Sequence, residues 1–84
     1  MSRSRMVAFV CLHGSAKSLI AAEYLSRLAV ERGVNVRGTA SGHKPDPAIP
    51  PEVIEGLLGR GIDVRGRSPV PVTANEMARA DHIV

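Results

Sequence analysis

Over the first forty residues the apolar positions change period twice. Met6-Val7-Ala8-Phe9-Val10-Cys11-Leu12 is apolar on both faces. A short continuous run of this kind predicts a buried strand of a parallel sheet over 6–12. His13 to Ser18 is small and polar. Leu19, Ile20, Tyr24, Leu25, Leu28 and Ala29 then recur at helical spacing, predicting a helix through Arg32. Glu23 and Arg27 stand four apart and are expected to pair on its exposed side. Gly33 terminates the helix. Val34-Asn35-Val36-Arg37-Gly38-Thr39 alternates and predicts a second strand. The three segments make one β-α-β unit, whose crossover is expected to be right-handed.

The remaining pattern is shorter in period. Pro45, Pro47, Pro50 and Pro51 mark a loop. Pro51 suits a helix start, where a missing N–H costs nothing. Val53, Ile54, Leu57 and Leu58 form an apolar stripe, and Gly61 ends that helix. Ile62-Asp63-Val64 reads as extended. Pro69 and Pro71 remove ladder donors, so 68–72 is not a central strand. Thr73-Ala74-Asn75-Glu76 is a capping box that predicts a third helix to about Ala80. Asp81-His82-Ile83-Val84 reads as the start of another buried strand. Two full strands and a stub give a parallel sheet few faces to bury. The expectation is a single, partial domain over 1–84 that is truncated or completed by a partner. A half-built sheet edge favours self-association into a homo-oligomer.

Composition narrows the function. The net charge is +3, with acids and bases interleaved. No basic stripe is evident, and only Phe9 and Tyr24 could stack on bases, so nucleic acid is not expected as a partner. Arg3 and Arg5 before the first apolar run resemble a signal peptide. The run is short for that role and no cleavage site follows. No segment is long enough to span a membrane. Cys11 is the sole cysteine of the 84 residues, which fits a reducing, cytoplasmic setting. His13, His43 and His82 do not have metal-ligand spacing, and no metal or cofactor is expected.

The chemistry concentrates between Cys11 and Ser18. A strand that runs into a small-residue loop and then a helix aims several N–H groups at one point, reinforced by the helix dipole. Phosphate, sulfate or arsenate suits such a concavity. The same field favours a thiolate at Cys11, and Ser18 can donate to the sulfur. Lys17 supplies a charge for the anion's oxygens. The backbone of Leu12, His13, Gly14, Ser15, Ala16 and Lys17 would form the cradle, with Cys11 as nucleophile and Lys17 and Ser18 assisting. In-line attack on phosphorus would then give a cysteinyl-phosphate intermediate. A Walker A loop is the rival reading, but it needs Gly where Cys11 and Ala16 stand. The plainer alternatives are an ordinary buried cysteine at a strand end and a solvated loop histidine at His13.

These residues resemble the low-molecular-weight protein tyrosine phosphatase superfamily, which includes thioredoxin-coupled arsenate reductases. The signature C-x5-R-S follows the first strand there. Cys11 to Ser18 repeats the layout with Lys17 for Arg. The loop is most similar to C-T-H-N-S-A-R-S, with Gly14 in place of Asn. Ala21-Ala22-Glu23, Ala40-Ser41-Gly42, Asp46-Pro47, Gly61 to Val64 and Ala80 to Val84 also resemble family segments. The resemblance covers nearly the whole chain and about the first half to two-thirds of a typical member. It implies a three-layer α/β fold around a parallel sheet and a cytoplasmic hydrolase acting on phosphotyrosine-type monoesters. It also leaves open an arsenate reductase and a phosphate-binding pseudo-phosphatase. Lys offers one point charge where Arg offers a planar fork, so slow turnover is expected. The family's general acid belongs to a C-terminal Asp-Pro pair, expected beyond Val84, as are the reductases' resolving cysteines. For Asp46 the resemblance implies loop shaping rather than acid catalysis.

Overall fold

The computed structural model describes residues 4–84. Arg3, weighed above as part of a leader, lies outside the described residues. In chain order the elements are β1 (Arg5–Cys11), α1 (Lys17–Glu31), β2 (Val36–Gly42), α2 (Pro51–Leu58), α3 (Ala74–Arg79) and β3 (His82–Ile83). The strands form one parallel sheet in the order β2-β1-β3. β1 and β2 pair from Arg5 opposite Val36 to Cys11 opposite Gly42. Both strands therefore end at the same edge, and this register brings the two following loops together.

β2 starts and stops later than its alternation predicts. The start is delayed by the end of α1. Gly33 takes φ 67°, its N–H donates to the Val30 carbonyl at 3.2 Å, and Val34 N–H donates to Ala29 at 2.9 Å. This Schellman closure keeps the chain turning through Val34. At the other end, Ala40-Ser41-Gly42 are weak strand formers that the last residues of β1 hold in the ladder. α2 closes in the same way. Gly61 (φ 80°) donates to Leu58 and Ile62 donates to Leu57. Gly61 thus ends the helix as its position predicts.

Strand alternation separates two faces. Val7, Phe9 and Cys11 share one with Val36, Gly38 and Ala40. α1 crosses this face so closely that a β-carbon on Gly38 would sit 2.8 Å from Ala22 Cα. Leu19, Ile49, Leu57, Ile62 and Val64 form the main apolar core here, with Ala40 against it. Each such side chain, fully buried, contributes about 1.5–3 kcal/mol. Met6, Ala8, Arg37 and Thr39 point to the opposite face. There Glu76 and Arg79 of α3 line a cleft with Met6, Arg37 and Thr39. The architecture is three-layered with a β-α-β start, as the resemblance implies.

Several local expectations change. The buried side of α1 is Ser18, Leu19, Ala22 and Ala29, while Leu28 is 46% exposed. Small residues dominate that side because the helix lies so near Gly38. Glu23 does not pair with Arg27. It meets Arg67, which the turn at Gly66 (φ 81°) carries to α1, and Arg27 pairs with Glu31 at 3.4 Å. Thr73 caps α3 by accepting from Glu76 N–H at 3.1 Å, but Glu76 Oε1 is buried without a partner. Only one arm of the capping box is formed. Pro71 bridges to Gly42 at the outer edge of β2, through Gly42 N–H to Val70 O at 2.9 Å and Val72 N–H to Gly42 O at 3.1 Å. Pro69 and Pro71 lack the N–H groups that a longer ladder would need.

β3 joins β1 through Asp81 N–H to Met6 O (2.8 Å), Met6 N–H to Asp81 Oδ2 (2.9 Å) and Val84 N–H to Ala8 O (2.8 Å). Among the described residues it stands at the edge of the sheet rather than inside it: Ile83 is 56% and Val84 68% exposed. Among the described residues only β1 lies beside it. No helix among the described residues is long and apolar enough to cross a membrane.

Candidate functional site

Cys11 is the last residue of β1 and Lys17 the first of α1, so the loop between them is anchored at both ends by regular structure. Gly14 turns it with φ 64°. That turn brings Gly14 N–H to 3.0 Å from Cys11 Sγ. The first turn of α1 brings Ser18 Oγ to 3.0 Å from the same sulfur. Ser18 is buried beneath it. Partial burial pushes the thiol pKa up. Hydrogen bonds from the Ser18 hydroxyl and from the Ser18, Gly14 and His13 amides outweigh this and hold it below its ordinary value. The thiolate, the nucleophilic form, is thus stabilised relative to that of an ordinary thiol.

A cleft of about 290 Å³ opens over the sulfur, lined by Cys11, Leu12, His13, Ser15, Ala16 and Lys17. Every predicted site residue except Gly14 and Ser18 lines it, and those two donate to its sulfur from behind. Size alone does not single the cleft out. One of about 650 Å³, with Arg37 and Arg79 in its wall, lies on the other face of the sheet. That cleft also carries the carboxylate Asp81, and its wall has no cysteine. At the Cys11 cleft, α1 starts with no side-chain cap and no acid in its first turn. The N–H groups of a helix start have no intrahelical acceptor, so they stay available to an anion. Lys17 is exposed and pairs with no carboxylate among the described residues.

The segment after β2 braces the near half of the loop. His43 N–H donates to Cys11 O at 3.1 Å, Lys44 N–H to Leu12 O at 2.7 Å and Asp46 N–H to His13 O at 3.3 Å. Ser15 Oγ donates to Asp46 Oδ2 at 2.7 Å, and His13 Nδ1 lies 3.4 Å from Asp46 Oδ1 and 3.2 Å from Lys44 O. Sequence reasoning picked out Asp46 without its partners. The contact spans 31 positions and has no local signature beyond the Asp-Pro turn. Gly42 was missed as a site residue too, although the Ala40-Ser41-Gly42 resemblance pointed to it. The arrangement can hold a tetrahedral oxyanion against a thiolate, with main-chain donors around it and one ammonium at the rim.

The family model for low molecular weight phosphotyrosine protein phosphatase matches residues 6–84. The fold is that of the low molecular weight protein tyrosine phosphatase from T. tengcongensis: the TM-score is 0.87 at 20% identity, over 96% of this chain and 57% of that one. A mutant of YwlE from Bacillus subtilis is similar at 26% identity and TM-score 0.85, over 95% and 55%. The Corynebacterium glutamicum thioredoxin-dependent arsenate reductase Cg_ArsC1' is similar at 32% identity and TM-score 0.85, over 98% and 40%. The chain thus spans little more than half, or less, of each of these proteins. No curated protein sequence matches it.

Proposed function

Since the chain belongs to the low molecular weight phosphotyrosine protein phosphatase family, we propose that it binds phosphate monoesters of the phosphotyrosine type and hydrolyses them through Cys11. The observation that carries this reading is the sulfur held at 3.0 Å from both Gly14 N and Ser18 Oγ at the base of the cleft. Backbone amides from Leu12 to Lys17 cradle the phosphoryl oxygens, and Lys17 offsets their charge. The thiolate attacks phosphorus as the P–O ester bond breaks, and the leaving oxygen takes a proton from solvent water. Water then cleaves the S–P bond, which releases inorganic phosphate and restores the thiolate. Lys17 lacks the bidentate grip of Arg, so the rate is reduced by about 10²–10³, by analogy with losing one oxyanion donor. A thiolate kept ready in this way suits a reducing, cytoplasmic setting.

The test is hydrolysis of p-nitrophenyl phosphate by the purified chain. Slow release of p-nitrophenol, lost in Cys11→Ser, is the expected result. Identical background rates for the two proteins would refute the hydrolase reading.

Lys17 favours a second reading, in which the cradle binds an oxyanion without turnover. Phosphate binding by a protein inactive toward p-nitrophenyl phosphate, with activity appearing in Lys17→Arg, would identify it. Arsenate is tetrahedral like phosphate and fits the same cradle. Its reduction needs thiols besides Cys11, the only one in these 84 residues.

A further inference from the structure

The oxyanion loop has two halves held in different ways. Main-chain bonds from His43, Lys44 and Asp46 fasten the carbonyls of Cys11, Leu12 and His13. No such ladder reaches Ser15, Ala16 or the start of α1 among the described residues. That half carries the amides that must stay aimed into the cleft. Its tie to the segment after β2 is one side-chain bond, from the buried Ser15 hydroxyl to Asp46 Oδ2 at 2.7 Å. The other oxygen, Asp46 Oδ1, lies 3.4 Å from His13 Nδ1, and the Asp46 N–H donates to His13 O at 3.3 Å.

A carboxylate near an anion site repels the ligand unless it is turned elsewhere. Asp46 is turned elsewhere: its two oxygens engage Ser15 and His13, and it is not part of the cleft lining. We propose that Asp46 is the positioning residue of the oxyanion loop, a clamp that joins Ser15 to His13 from behind the cradle. It acts through the loop and does not touch the anion. The inference rests on the reading of this cleft as an oxyanion site, and it gives Asp46 a role other than general acid.

Sulfate binding by the whole chain, measured by calorimetry at pH 6 and constant ionic strength, tests the clamp. Asp46→Ala removes the acceptor, and Kd is expected to rise about tenfold, the scale of one charge-assisted hydrogen bond. Asp46→Asn keeps an acceptor for Ser15 and sheds the charge, so it is expected to bind at least as tightly as the parent. A role limited to charge makes both variants bind tighter, which would overturn the proposal. Ser15→Ala should match Asp46→Ala, and the double variant should be no weaker than either single one.

A second readout needs no ligand. ¹⁵N order parameters of the amides at 14–17 should fall in Asp46→Ala and recover in Asp46→Asn, with circular dichroism showing both folded. Unchanged order in a folded Asp46→Ala protein would sink the clamp. A parent protein that binds no sulfate would instead refute the oxyanion reading, and the relaxation data would still decide the role of Asp46.

Discussion

Gly14 and Gly42 meet backbone to backbone behind the cleft. A β-carbon on Gly14 would lie 2.7 Å from Gly42 N, and one on Gly42 would lie 2.5 Å from Gly14 N. The obstructing atoms are main chain on both sides, so neither can swing away. Gly14 also needs φ 64° to turn its N–H toward the sulfur. The closeness follows from register, because Cys11 pairs with Gly42 and the loop leaves β1 directly over the end of β2.

Gly42→Ala is therefore expected to push the loop off β2. Overpacking against rigid neighbours costs about 1–3 kcal/mol, which in a domain of this size lowers Tm by roughly 4–8 °C per kcal/mol. Thermal unfolding followed by circular dichroism measures the stability loss. Sulfate binding should weaken in the same variant, since the Gly14 amide loses its place. Gly33→Ala is the contrast. It has a positive φ but nothing within 4 Å of a new β-carbon, so it should lose stability and keep sulfate affinity.

The Cys11 thiol is expected to be reactive below the ordinary thiol range. Burial opposes ionisation, but the Ser18 hydroxyl and the amides of Ser18, Gly14 and His13 stabilise the charged form and win. Alkylation by iodoacetamide across pH 5–9 should therefore show an apparent pKa below that of a free thiol. Ser18→Ala removes the hydroxyl, so its pKa should rise and its rate at pH 7 fall. An unchanged profile in Ser18→Ala would rule out the hydroxyl as a source of the shift. The linkage has a definite sign. A folded pKa below the unfolded one adds stability above the unfolded value, and this contribution is lost as pH falls through the folded value.

The parts of this fold that were legible in the sequence are those set by neighbouring residues. The β1 run, the α1 period, Gly33 and Gly61 as helix ends and Thr73 as a cap all depend on residues within one or two turns. The Cys11 to Ser18 loop was legible for the same reason. What escaped depends on register and distance. β2 continues to Gly42 because β1 is there to pair with it, and no alternation marks Ala40-Ser41-Gly42. Glu23 had a plausible partner four residues on, yet a turn 44 positions away supplied Arg67. The Ser15 to Asp46 bond likewise has no periodic trace. The site was half legible: its sulfur and its donors could be read locally, while the brace behind them arises only from the pairing of β1 with β2.

The docking of α3 tests the local half of this account. Thr73 Oγ1 accepts from Glu76 N–H, and this is the only side-chain cap on a helix of six residues. Thr73→Ala should cost about 1 kcal/mol, the usual loss of an N-cap. Urea unfolding should show a lower midpoint with an unchanged m-value. Glu76→Gln should cost far less, because the reciprocal arm of the capping box is not made.

Lys17 bears most directly on turnover. It is the first residue of α1, exposed at the rim of the cleft and unpaired among the described residues. Its ammonium can approach one oxyanion oxygen but cannot bridge two, whereas a guanidinium can grip two equatorial oxygens as charge develops. The ground-state anion gains little from the second contact, and the transition state gains more. Lys17→Arg is therefore expected to raise kcat for p-nitrophenyl phosphate by about 10²–10³ while changing KM little. Lys17→Met should weaken sulfate binding and abolish residual hydrolysis. Steady-state kinetics on the three proteins separates the effects. If Lys17→Arg tightens sulfate binding but leaves kcat unchanged, the fork acts on binding alone and the slow step lies elsewhere.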